Sequence, residues 1–429
     1  MNSRLKYFVV TSSTCLVVLL LLGAVIGKSA PAGEPYKHLS VFSEVISRIK
    51  SDYVEEPDMK NVTLGAVNGL LESLDPYASY LSPEQYKQYE KKDQAKGGVG
   101  LLLSRRFGYV GVIDALTGSP ADKAGLQTGD MLETIGGVST RDMPLAYAEL
   151  LLQGEPGSNV ELTVLRVRKP EPQPVTLARA VLKFPPVAAR MAQPGVGVVQ
   201  VESLEAGKAK EVASAIGELR KQGAKKLVLD LRHCAYGPDS EGVKLANLFM
   251  DSGLITYTQG QRVARENSEA QPGQAVYKDA LVVITNRGTA KGAEIAAAAL
   301  QDSKRAQVVG ERTYGDAAIR KAVATDDGGA VILSVAKYYS PSGKALQDVG
   351  VTPNHTVADQ EQALDTTDDE DEAPPAPAPQ PKKPAGEDLL LKRAIDVLNG
   401  NLTQASRGQA EPAPQNPSFA PLNVPKRER

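Results

Sequence analysis

The chain has 429 residues, of which 42% are hydrophobic, and its 49 Lys and Arg residues nearly balance 51 Asp and Glu residues. This length allows about two to three domains with sizeable cores. The formal net charge of -2 excludes a globally basic nucleic-acid binder, so no nucleic-acid partner is predicted. Cys15 and Cys234 are too few for a disulfide framework or a cysteine zinc site, and three histidines offer little for a histidine site. We therefore expect no metal and no cofactor.

The chain begins with a basic flank and an apolar stretch. Arg4 and Lys6 precede residues 7–27, and the small-residue segment 29–32 follows. Such a segment, residues 1–33, is either a signal peptide or a single membrane anchor through 7–27. The proline in the small-residue segment is unfavourable for cleavage, which favours the anchor. We expect the rest of the chain in the cell envelope, anchored in the inner membrane facing the periplasm or secreted to the periplasm.

Residues 36–92 have the spacing of helices. Apolar residues recur three and four positions apart at Val41, Val45, Ile46 and Ile49, and again at Leu64, Val67, Leu70, Leu71 and Leu74. Ser82 followed by Pro83 is typical of a helix start, because serine caps the free N–H groups and proline suits the first helical position.

The next two regions predict separate domains. Short strands separated by Gly and Pro turns fill residues 93–170, whereas residues 171–360 alternate strands with helices. That alternation indicates an α/β domain with a largely parallel sheet. The predicted strands are 196–201, 226–231, 280–285, 307–309 and 330–338, and the predicted helices include 206–222 and 290–301.

The end of the chain differs in composition. Residues 361–387 are acidic and Pro-rich, and residues 401–429 form a second Pro-rich tail, so we expect both to be disordered. Between them, residues 388–400 form a short amphipathic helix with an apolar face of Leu391, Ala394, Ile395 and Leu398.

A Gly-rich turn at residues 97–100 runs into an apolar strand, and the string Gly-Ser-Pro-Ala-Asp-Lys-Ala-Gly-Leu-Gln-Thr-Gly-Asp follows at 118–130. In this order the motifs closely resemble a PDZ domain of the circularly permuted bacterial type. The resemblance implies that an extended C-terminal peptide adds as a strand beside the Gly-rich turn. Gly98, Val99 and Gly100 would then form the carboxylate nest and Leu101 and Leu103 the groove, while Arg105 and Arg106 would favour acidic peptides.

Longer motifs extend a second resemblance over residues 40–357. Leu74-Asp75-Pro76-Tyr77 precedes the PDZ-like module, and the segments 229–232, 286–295, 310–316 and 337–343 follow it. In this order they resemble C-terminal processing peptidases, also called tail-specific proteases. The resemblance implies a multidomain α+β protein with an N-terminal helical segment, a β-rich PDZ domain and an α/β core of the ClpP/crotonase type.

Those peptidases use a Ser-Lys dyad in which neutral lysine activates the serine hydroxyl. The nucleophile position of the family is occupied here by Lys291, the base position by Asp316, and a supporting Gln position by Arg320. We expect no active catalytic residue, because there is no hydroxyl to activate and a charged amine is not nucleophilic. The opposite charges of Lys291 and Asp316 would instead form an ion pair. Thr289 is the alternative nucleophile, although its hydroxyl is expected to bond the backbone.

The oxyanion turn of the family is altered as well. Its Asn-Pro-Gly-Gly sequence is replaced by residues 234–237, with Tyr236 in place of a glycine and Gly237 retained. A side chain at Tyr236 is expected to obstruct the backbone geometry that the turn requires. The adjacent His233 and Cys234 are interpreted as structural residues and not as a catalytic pair.

These observations predict a pseudoprotease that binds C-terminal peptide tails of envelope proteins through its PDZ domain and acts as a scaffold or regulator. The alternative is an active serine-type endopeptidase with a rearranged site. A third reading is a structural subunit that pairs with an active homologue through its N-terminal helices or its C-terminal helix. A homo-oligomer is the alternative to pairing with an active homologue.

Overall fold

The computed structural model describes residues 34–92, 96–106, 108–166, 169–357 and 388–401. The predicted signal segment, the acidic linker and the final tail beyond residue 401 lie outside these ranges. Within them, no helix has the length and apolar character needed to cross a bilayer. The chain divides into two compact units, Met1–Val67 and Asn68–Arg429.

The predicted helical region is confirmed. Helix α1 spans Glu34–Asp52, and helix α2 spans Met59–Glu72. After strand β1 (Ser79–Leu81), helix α3 (Pro83–Tyr89) begins at the predicted cap. The Ser82 hydroxyl accepts the Gln85 N–H at 3.4 Å, and the Gln85 side chain accepts the Ser82 N–H at 2.9 Å, which completes a capping box.

Residues 97–178 form an antiparallel sheet with two short helices. The strand order is β2-β3-β4-β6-β7, so β2 lies at an edge, and β5 pairs with β4. Helix α5 covers a core that contains Leu103, Leu132, Ile135 and Leu162. The elements are β2 (Leu101–Arg106), β3 (Tyr109–Ala115), α4 (Pro120–Lys123), β4 (Met131–Ile135), β5 (Val138–Ser139), α5 (Leu145–Leu152), β6 (Asn159–Arg166) and β7 (Lys169–Ala178).

The following region has the predicted parallel sheet, in the order β17-β14-β13-β10-β9-β8. All neighbouring strands in it run parallel except the edge pair β8 and β9. The strands and helices agree with the predicted segments to within two residues. They are β8 (Ala188–Gln193), β9 (Val196–Gln200), α6 (Lys208–Lys221), β10 (Lys226–Asp230), α7 (Asp239–Asn247), β13 (Ala280–Thr285), α8 (Gly292–Asp302), β14 (Gln307–Gly310) and β17 (His355–Thr356).

A third sheet joins strand β1 (Ser79–Leu81) to strands of this domain. Its order is β1-β16-β11-β12, and β15 pairs with β16. All of its pairs are antiparallel, including Ser79–Leu81 with the start of β16. The elements are β11 (Leu254–Gln259), β12 (Glu266–Glu269), β15 (Ala318–Ala324) and β16 (Ala330–Tyr339).

The predicted C-terminal helix is present as α9, Leu389–Asn399, capped by the Asp388 side chain. Its apolar residues Leu390, Leu391 and Ala394 are buried on one face of the parallel sheet, against valine and isoleucine side chains of the central strands. The Arg232 guanidinium holds the Asp388 carboxylate at 2.8 Å. The apolar face of α9 is therefore covered within the chain, and the pairing of α9 with another protein stays a prediction.

Candidate functional site

Lys291 lies in a sharp turn between a strand and a helix. Strand β13 ends at Thr285, and α8 begins at Gly292, immediately after Lys291. Lys291 has φ of 55° and ψ of -126°, which non-glycine residues rarely adopt. A strained strand-turn-helix elbow is the geometry that presents a nucleophile in many hydrolases. The backbone is therefore that of a nucleophile site, and the side chain is a lysine.

Glu294 ties this elbow to the turn that contains Asp316. Its buried carboxylate accepts the backbone N–H groups of Lys291 (3.1 Å), Gly315 (2.7 Å) and Asp316 (2.9 Å), and also the Thr313 hydroxyl. The Lys291 N–H lies 3.1 Å from the Asp316 carbonyl oxygen as well. Burial raises the pKa of Glu294 to about 8, and these donors oppose the shift. One carboxylate thus brings the two family dyad positions together.

Asp316 pairs with Arg320 and not with Lys291. Its carboxylate is almost fully buried and forms a salt bridge with the Arg320 guanidinium. Burial alone would lower the pKa of Arg320, but Asp316 reverses the effect and the pKa is raised. Lys291 forms no salt bridge with any carboxylate in the described ranges. The prediction of a Lys291–Asp316 ion pair is therefore wrong, because the residue that replaces the family's Gln neutralises the base position.

Asp239, the first residue of α7, is a further carboxyl group near this centre. Burial raises its pKa to about 6, and the positive charge of Lys291 partly offsets that shift. The N-terminal ends of α7 and α8 approach closely, since a Cβ atom on Gly242 would lie 2.0 Å from the Gly292 carbonyl oxygen. Both helices therefore point their first turns toward the elbow.

Thr289 has no free hydroxyl for catalysis. The Thr289 hydroxyl donates to the Leu231 carbonyl oxygen at 2.8 Å and accepts the Asn286 N–H at 3.1 Å, and the residue is fully buried. Its proton is thus directed to the backbone, as the sequence predicted.

The oxyanion turn keeps glycine where the backbone requires it. Gly237 has φ of 108°, and a Cβ atom there would lie 2.0 Å from the Leu204 carbonyl oxygen. Tyr236 does not have a positive φ, and its carbonyl oxygen accepts the Leu204 N–H at 2.7 Å. The sequence predicted that the Tyr236 side chain obstructs the backbone of the turn. That prediction is wrong, because the residue with the left-handed backbone conformation is Gly237, which is a glycine. The Tyr236 ring packs near Phe184 instead, with ring centroids 5.8 Å apart.

His233 joins this turn to the PDZ sheet. Its Nδ1 lies 2.8 Å from an Asp114 carboxylate oxygen on β3, and its Nε2 lies 2.9 Å from the Asn286 side-chain nitrogen. The Asn286 Oδ1 already accepts the N–H groups of His233 and Gly288, so its NH₂ group must donate to Nε2. Nε2 therefore accepts this hydrogen bond, and Nδ1 carries the proton that faces Asp114. Burial alone would lower the pKa of His233, but the Asp114 carboxylate outweighs burial and the pKa is raised. The partners of the two His233 ring nitrogens are therefore Asp114 and Asn286, and not Cys234. Burial raises the pKa of the Cys234 thiol.

The Gly-rich turn has the features of a peptide terminus site. The N–H groups of Gly97 and Gly98 donate to the carbonyl oxygens of Gly154 and Ala180, whereas Val99 and Gly100, among the residues described, donate no backbone hydrogen bond. Gly100 has φ of 79°, and a Cβ atom on it would lie 2.3 Å from the Ser119 side chain. Within the described ranges, the nest expected at 98–100 thus has two N–H groups without a backbone acceptor, next to an edge strand.

The side chains of β2 divide between core and surface. Leu103 is 2% exposed and belongs to the PDZ core, whereas Leu101 is only half-buried. The Arg105 side chain is 2% exposed and lies 3.1 Å from Glu72, with Asp142 nearby. The expected selection of acidic peptides by Arg105 is therefore wrong, because its charge is already paired. The side chain of Arg106 lies outside the described set.

Tyr77 connects the PDZ core to Arg320, and the sequence alone indicates no role for Tyr77. Asp75 fixes its turn by accepting the N–H groups of Tyr77 and Ala78. The Tyr77 ring is buried in the same cluster as Leu103, and the Arg320 guanidinium lies 3.7 Å from its centroid. Glu294, Asn286 and Asp114 were also missed, since only distant partners reveal their roles. No cluster within the described ranges is arranged to hold a metal ion.

The fold and site define a class: a PDZ-containing α/β protein with the backbone of a nucleophile elbow. A family model for a PDZ domain matches residues 111–166, and one for peptidase family S41 matches residues 195–357. The chain is 32% identical over 374 residues to a carboxyl-terminal-processing protease of Synechocystis sp., covering 85% of this chain and 84% of that protein. It therefore belongs to the C-terminal processing peptidase family, with mixed α/β architecture as predicted.

Two other relatives agree with this assignment. The carboxy-terminal processing protease CtpA of Bacillus subtilis is 31% identical over 361 residues, covering 82% of this chain and 77% of that protein. The solved structure of a photosystem II D1 C-terminal processing protease is similar with a TM-score of 0.60 and 28% identity, covering 74% of this chain and 92% of that chain.

Proposed function

We propose that this chain is a proteolytically inactive member of its family that captures C-terminal peptide tails through its PDZ domain and acts as a scaffold or regulator. The observation that carries this is the elbow at Lys291. A nucleophile backbone is present, but the residue there has no hydroxyl and the base position holds a carboxylate paired with Arg320.

The chemistry of acyl transfer is missing at each step. A serine hydroxyl needs a neutral base within hydrogen-bond reach, and Asp316 is committed to Arg320. The nearest hydroxyl in the turn, that of Thr289, donates to a backbone carbonyl. The centre therefore offers charges and a shaped turn but no attacking group.

The proposal of peptide capture rests on an edge strand and on backbone N–H groups of the PDZ domain. Strand β2 is an edge strand, and the adjacent Val99 and Gly100 N–H groups are free within the described residues. An edge strand pairs with an extended peptide, and inward N–H groups receive its terminal carboxylate. Relatives named as C-terminal processing proteases act on chain ends, so the ligand proposed here is the free C-terminus of an envelope protein.

The location proposed for this activity is the cell envelope. It rests on the basic flank and apolar residues 7–27 in the sequence. An anchor in the inner membrane would hold the PDZ domain in the periplasm, and cleavage would release it there.

A titration with paired peptides tests capture. Peptides with a free carboxylate and an apolar last residue should bind about tenfold or more tightly than their amidated forms, because hydrogen bonds to a charged group contribute about 1.5–3 kcal/mol. Calorimetry measures both affinities. Equal affinities for the two forms would contradict the carboxylate nest.

A pair of glycine variants supplies the matched control. Gly100→Ala introduces a clash at 2.3 Å, whereas Gly118→Ala has a similar φ of 77° and open space around it. We expect the first to abolish binding of the free peptide and the second to leave it nearly unchanged. Loss in both would show a general effect of backbone strain.

The retained elbow favours one alternative, an active peptidase with a rearranged site. A serine-reactive phosphonate separates the two readings, because it labels only an activated hydroxyl. No labelled residue is expected. A single labelled Ser or Thr, identified by mass spectrometry, would establish the alternative.

A further inference from the structure

His233 lies where three segments of the molecule meet, and no function above uses it. It follows strand β10 with φ of 58°, a left-handed conformation that is uncommon outside glycine. Its ring contacts Asp114 on the PDZ strand β3, and it contacts Asn286 at the start of residues 286–290, the elbow segment that leads from β13 toward Lys291. The side chain is 44% exposed, so protons from solvent can reach the ring.

The orientation of Asn286 is fixed by its own hydrogen bonds. Its Oδ1 accepts the His233 N–H at 3.1 Å and the Gly288 N–H at 3.0 Å, so its NH₂ group has to face the His233 ring. Asn286 is almost fully buried, and the described residues offer this NH₂ group no acceptor other than Nε2. A second proton on the ring, at Nε2, would therefore place two donors 2.9 Å apart.

Asp114 responds to the same proton in the opposite way. Its Oδ1 lies 2.8 Å from Nδ1 of His233, and its Oδ2 is buried with no hydrogen-bond partner among the described residues. A ring with two protons is a cation, and hydrogen bonds between ionised groups are stronger than those between neutral groups. The added proton therefore strengthens the contact with the PDZ strand and breaks the contact with the elbow segment.

The charged and titratable side chains that face His233 or Asp114 come from β3, from the ends of β9 and β10, and from the oxyanion turn. They are Asp114, Glu202, Asp230, Arg232, Cys234 and Tyr236. The elbow segment carries Arg287 beside Asn286, and Arg287 pairs with Glu311 at 4.0 Å.

These charges favour the added proton. Arg232, the nearby cation, is already paired with Asp230 at 2.6 Å and with Asp388 at 2.8 Å. Glu202, like Asp114, has a buried carboxylate oxygen without a partner within the described ranges. Burial lowers the pKa of His233, but the Asp114 carboxylate outweighs burial and the pKa is raised. The stability that the charged pair contributes is therefore complete below about pH 6.5 and is lost as pH rises through the folded pKa.

We propose that His233 is a proton-operated junction between the PDZ sheet and the elbow segment. With one proton, the ring binds both Asp114 and Asn286. With two protons, it keeps Asp114 and releases Asn286, so the two parts are no longer joined through this side chain. Histidine suits such a switch, because it is the side chain that ordinarily changes charge between about pH 5 and pH 8. The junction does not depend on peptide capture or on the lack of catalysis.

NMR of the full chain, labelled with nitrogen-15 at its three histidines, tests the protonation of the junction. His233→Gln identifies the His233 signals by their loss. At high pH these signals should show the proton on Nδ1, and they should titrate with a midpoint above about pH 6.5. Asp114→Asn should lower that midpoint by about one pH unit or more, because the carboxylate that favours the proton is gone. A proton on Nε2 at high pH, or a midpoint below about pH 6.5, would overturn the proposal.

Hydrogen exchange in the elbow segment tests the release. The Gly288 N–H donates to Oδ1 of Asn286 and so reports on that side chain. After correction for the intrinsic exchange rate, protection of residues 286–290 should be several-fold weaker at about pH 5.5 than at about pH 8. His233→Gln should remove this difference. Equal protection at both pH values in the parent, or a difference that persists in His233→Gln, would overturn the proposal.

His355→Gln is the matched control for the exchange experiment. His355 lies on the edge strand β17, and its Nε2 contacts the Gln307 side chain at 2.6 Å. This variant should keep the difference of the parent protein, since its imidazole has no contact with Asp114 or Asn286. Loss of the difference in His355→Gln would assign the effect to another group and overturn the proposal.

Asn286→Asp gives a variant with the opposite expectation. One carboxylate oxygen can still accept the N–H groups of His233 and Gly288, and the other can accept a proton on Nε2. Protection of residues 286–290 should then be stronger at about pH 5.5 than at about pH 8. Circular dichroism checks that each variant is folded. Weaker protection at the lower pH in folded Asn286→Asp would contradict the junction.

Discussion

The Gly-rich edge of the PDZ domain and the elbow at Lys291 differ in the groups that they offer to a peptide. At the edge, Val99 and Gly100 donate no backbone hydrogen bond among the described residues. At the elbow, catalysis would depend on side chains, and Lys291, Asp316 and Arg320 stand where the family that the sequence resembles has Ser, Lys and Gln. We therefore expect a site built from backbone groups to keep its binding where a site built from side chains has no catalysis.

The elbow keeps its shape because other residues hold it. Glu294 holds two segments together, Thr289 bonds the residue that follows β10, and Gly237 has a conformation in which a Cβ atom would clash. None of these depends on the dyad. The shape of the elbow is therefore independent of the side chains at the dyad positions.

The largest expected effect is a gain of activity on reversing the changes. The triple variant Lys291→Ser, Asp316→Lys, Arg320→Gln should cleave a tailed substrate at least about 100-fold faster than the parent, since general-base catalysis alone contributes about 10²–10⁴-fold. Lys291→Ser alone should remain inactive, because its hydroxyl lacks a base. Cleavage is followed by mass spectrometry. An inactive but folded triple variant would show that the oxyanion turn is also disabled.

A large loss of stability is expected for Arg320→Ala. Asp316 is 3% exposed, and removing its partner leaves a buried charge uncompensated, which costs about 3–5 kcal/mol. The matched control is Lys337→Ala, whose partner Asp348 lies 3.1 Å away on the surface, where the expected cost is about 0–1 kcal/mol. Urea unfolding measures both. Similar losses for the two variants would contradict a buried structural pair at the base position.

Part of the fold and of the candidate site could be predicted from the sequence. The strands of the parallel sheet, the capping box at Ser82 and the PDZ and peptidase resemblances were all visible in local patterns. The pairing of Asp316 with Arg320 was not, because a sequence does not say which of two nearby cations reaches a carboxylate. The burial of Arg105 against Glu72 was hidden for the same reason, since the partner is distant in sequence.

The glycine of the oxyanion turn shows a second limit of prediction from sequence, which is the backbone conformation. A motif comparison placed the fault at Tyr236, but only backbone angles show that Gly237 is the residue in the left-handed region. The role of Glu294 likewise cannot be predicted from its own segment, 286–295, because its partners lie in another turn.

A smaller effect is expected from the carboxyl group of Asp239. Its folded pKa is about 6, above the ordinary value of about 3.9, so the folded state binds the proton more tightly. This part of the stability is therefore present at pH 4 and is lost as pH rises through 6. Asp239→Asn should raise the free energy of unfolding by about 1 kcal/mol at pH 7 and leave it unchanged at pH 4.

Asp279→Asn, at an exposed position, is the control for the Asp239 experiment. Urea unfolding at several pH values should show a flatter profile only for Asp239→Asn. An unchanged profile for that variant would place the Asp239 carboxyl group in ordinary solvent contact.

The proposed contrast between a peptide-binding edge in the PDZ domain and an inactive centre at Lys291 is tested most directly by one incubation. The purified full chain is mixed with an unfolded substrate that ends in an apolar tail, and the products are analysed by mass spectrometry. The substrate should remain intact while still binding to the protein. Robust cleavage that disappears in Lys291→Ala, Asp316→Ala or Thr289→Ala would contradict the account.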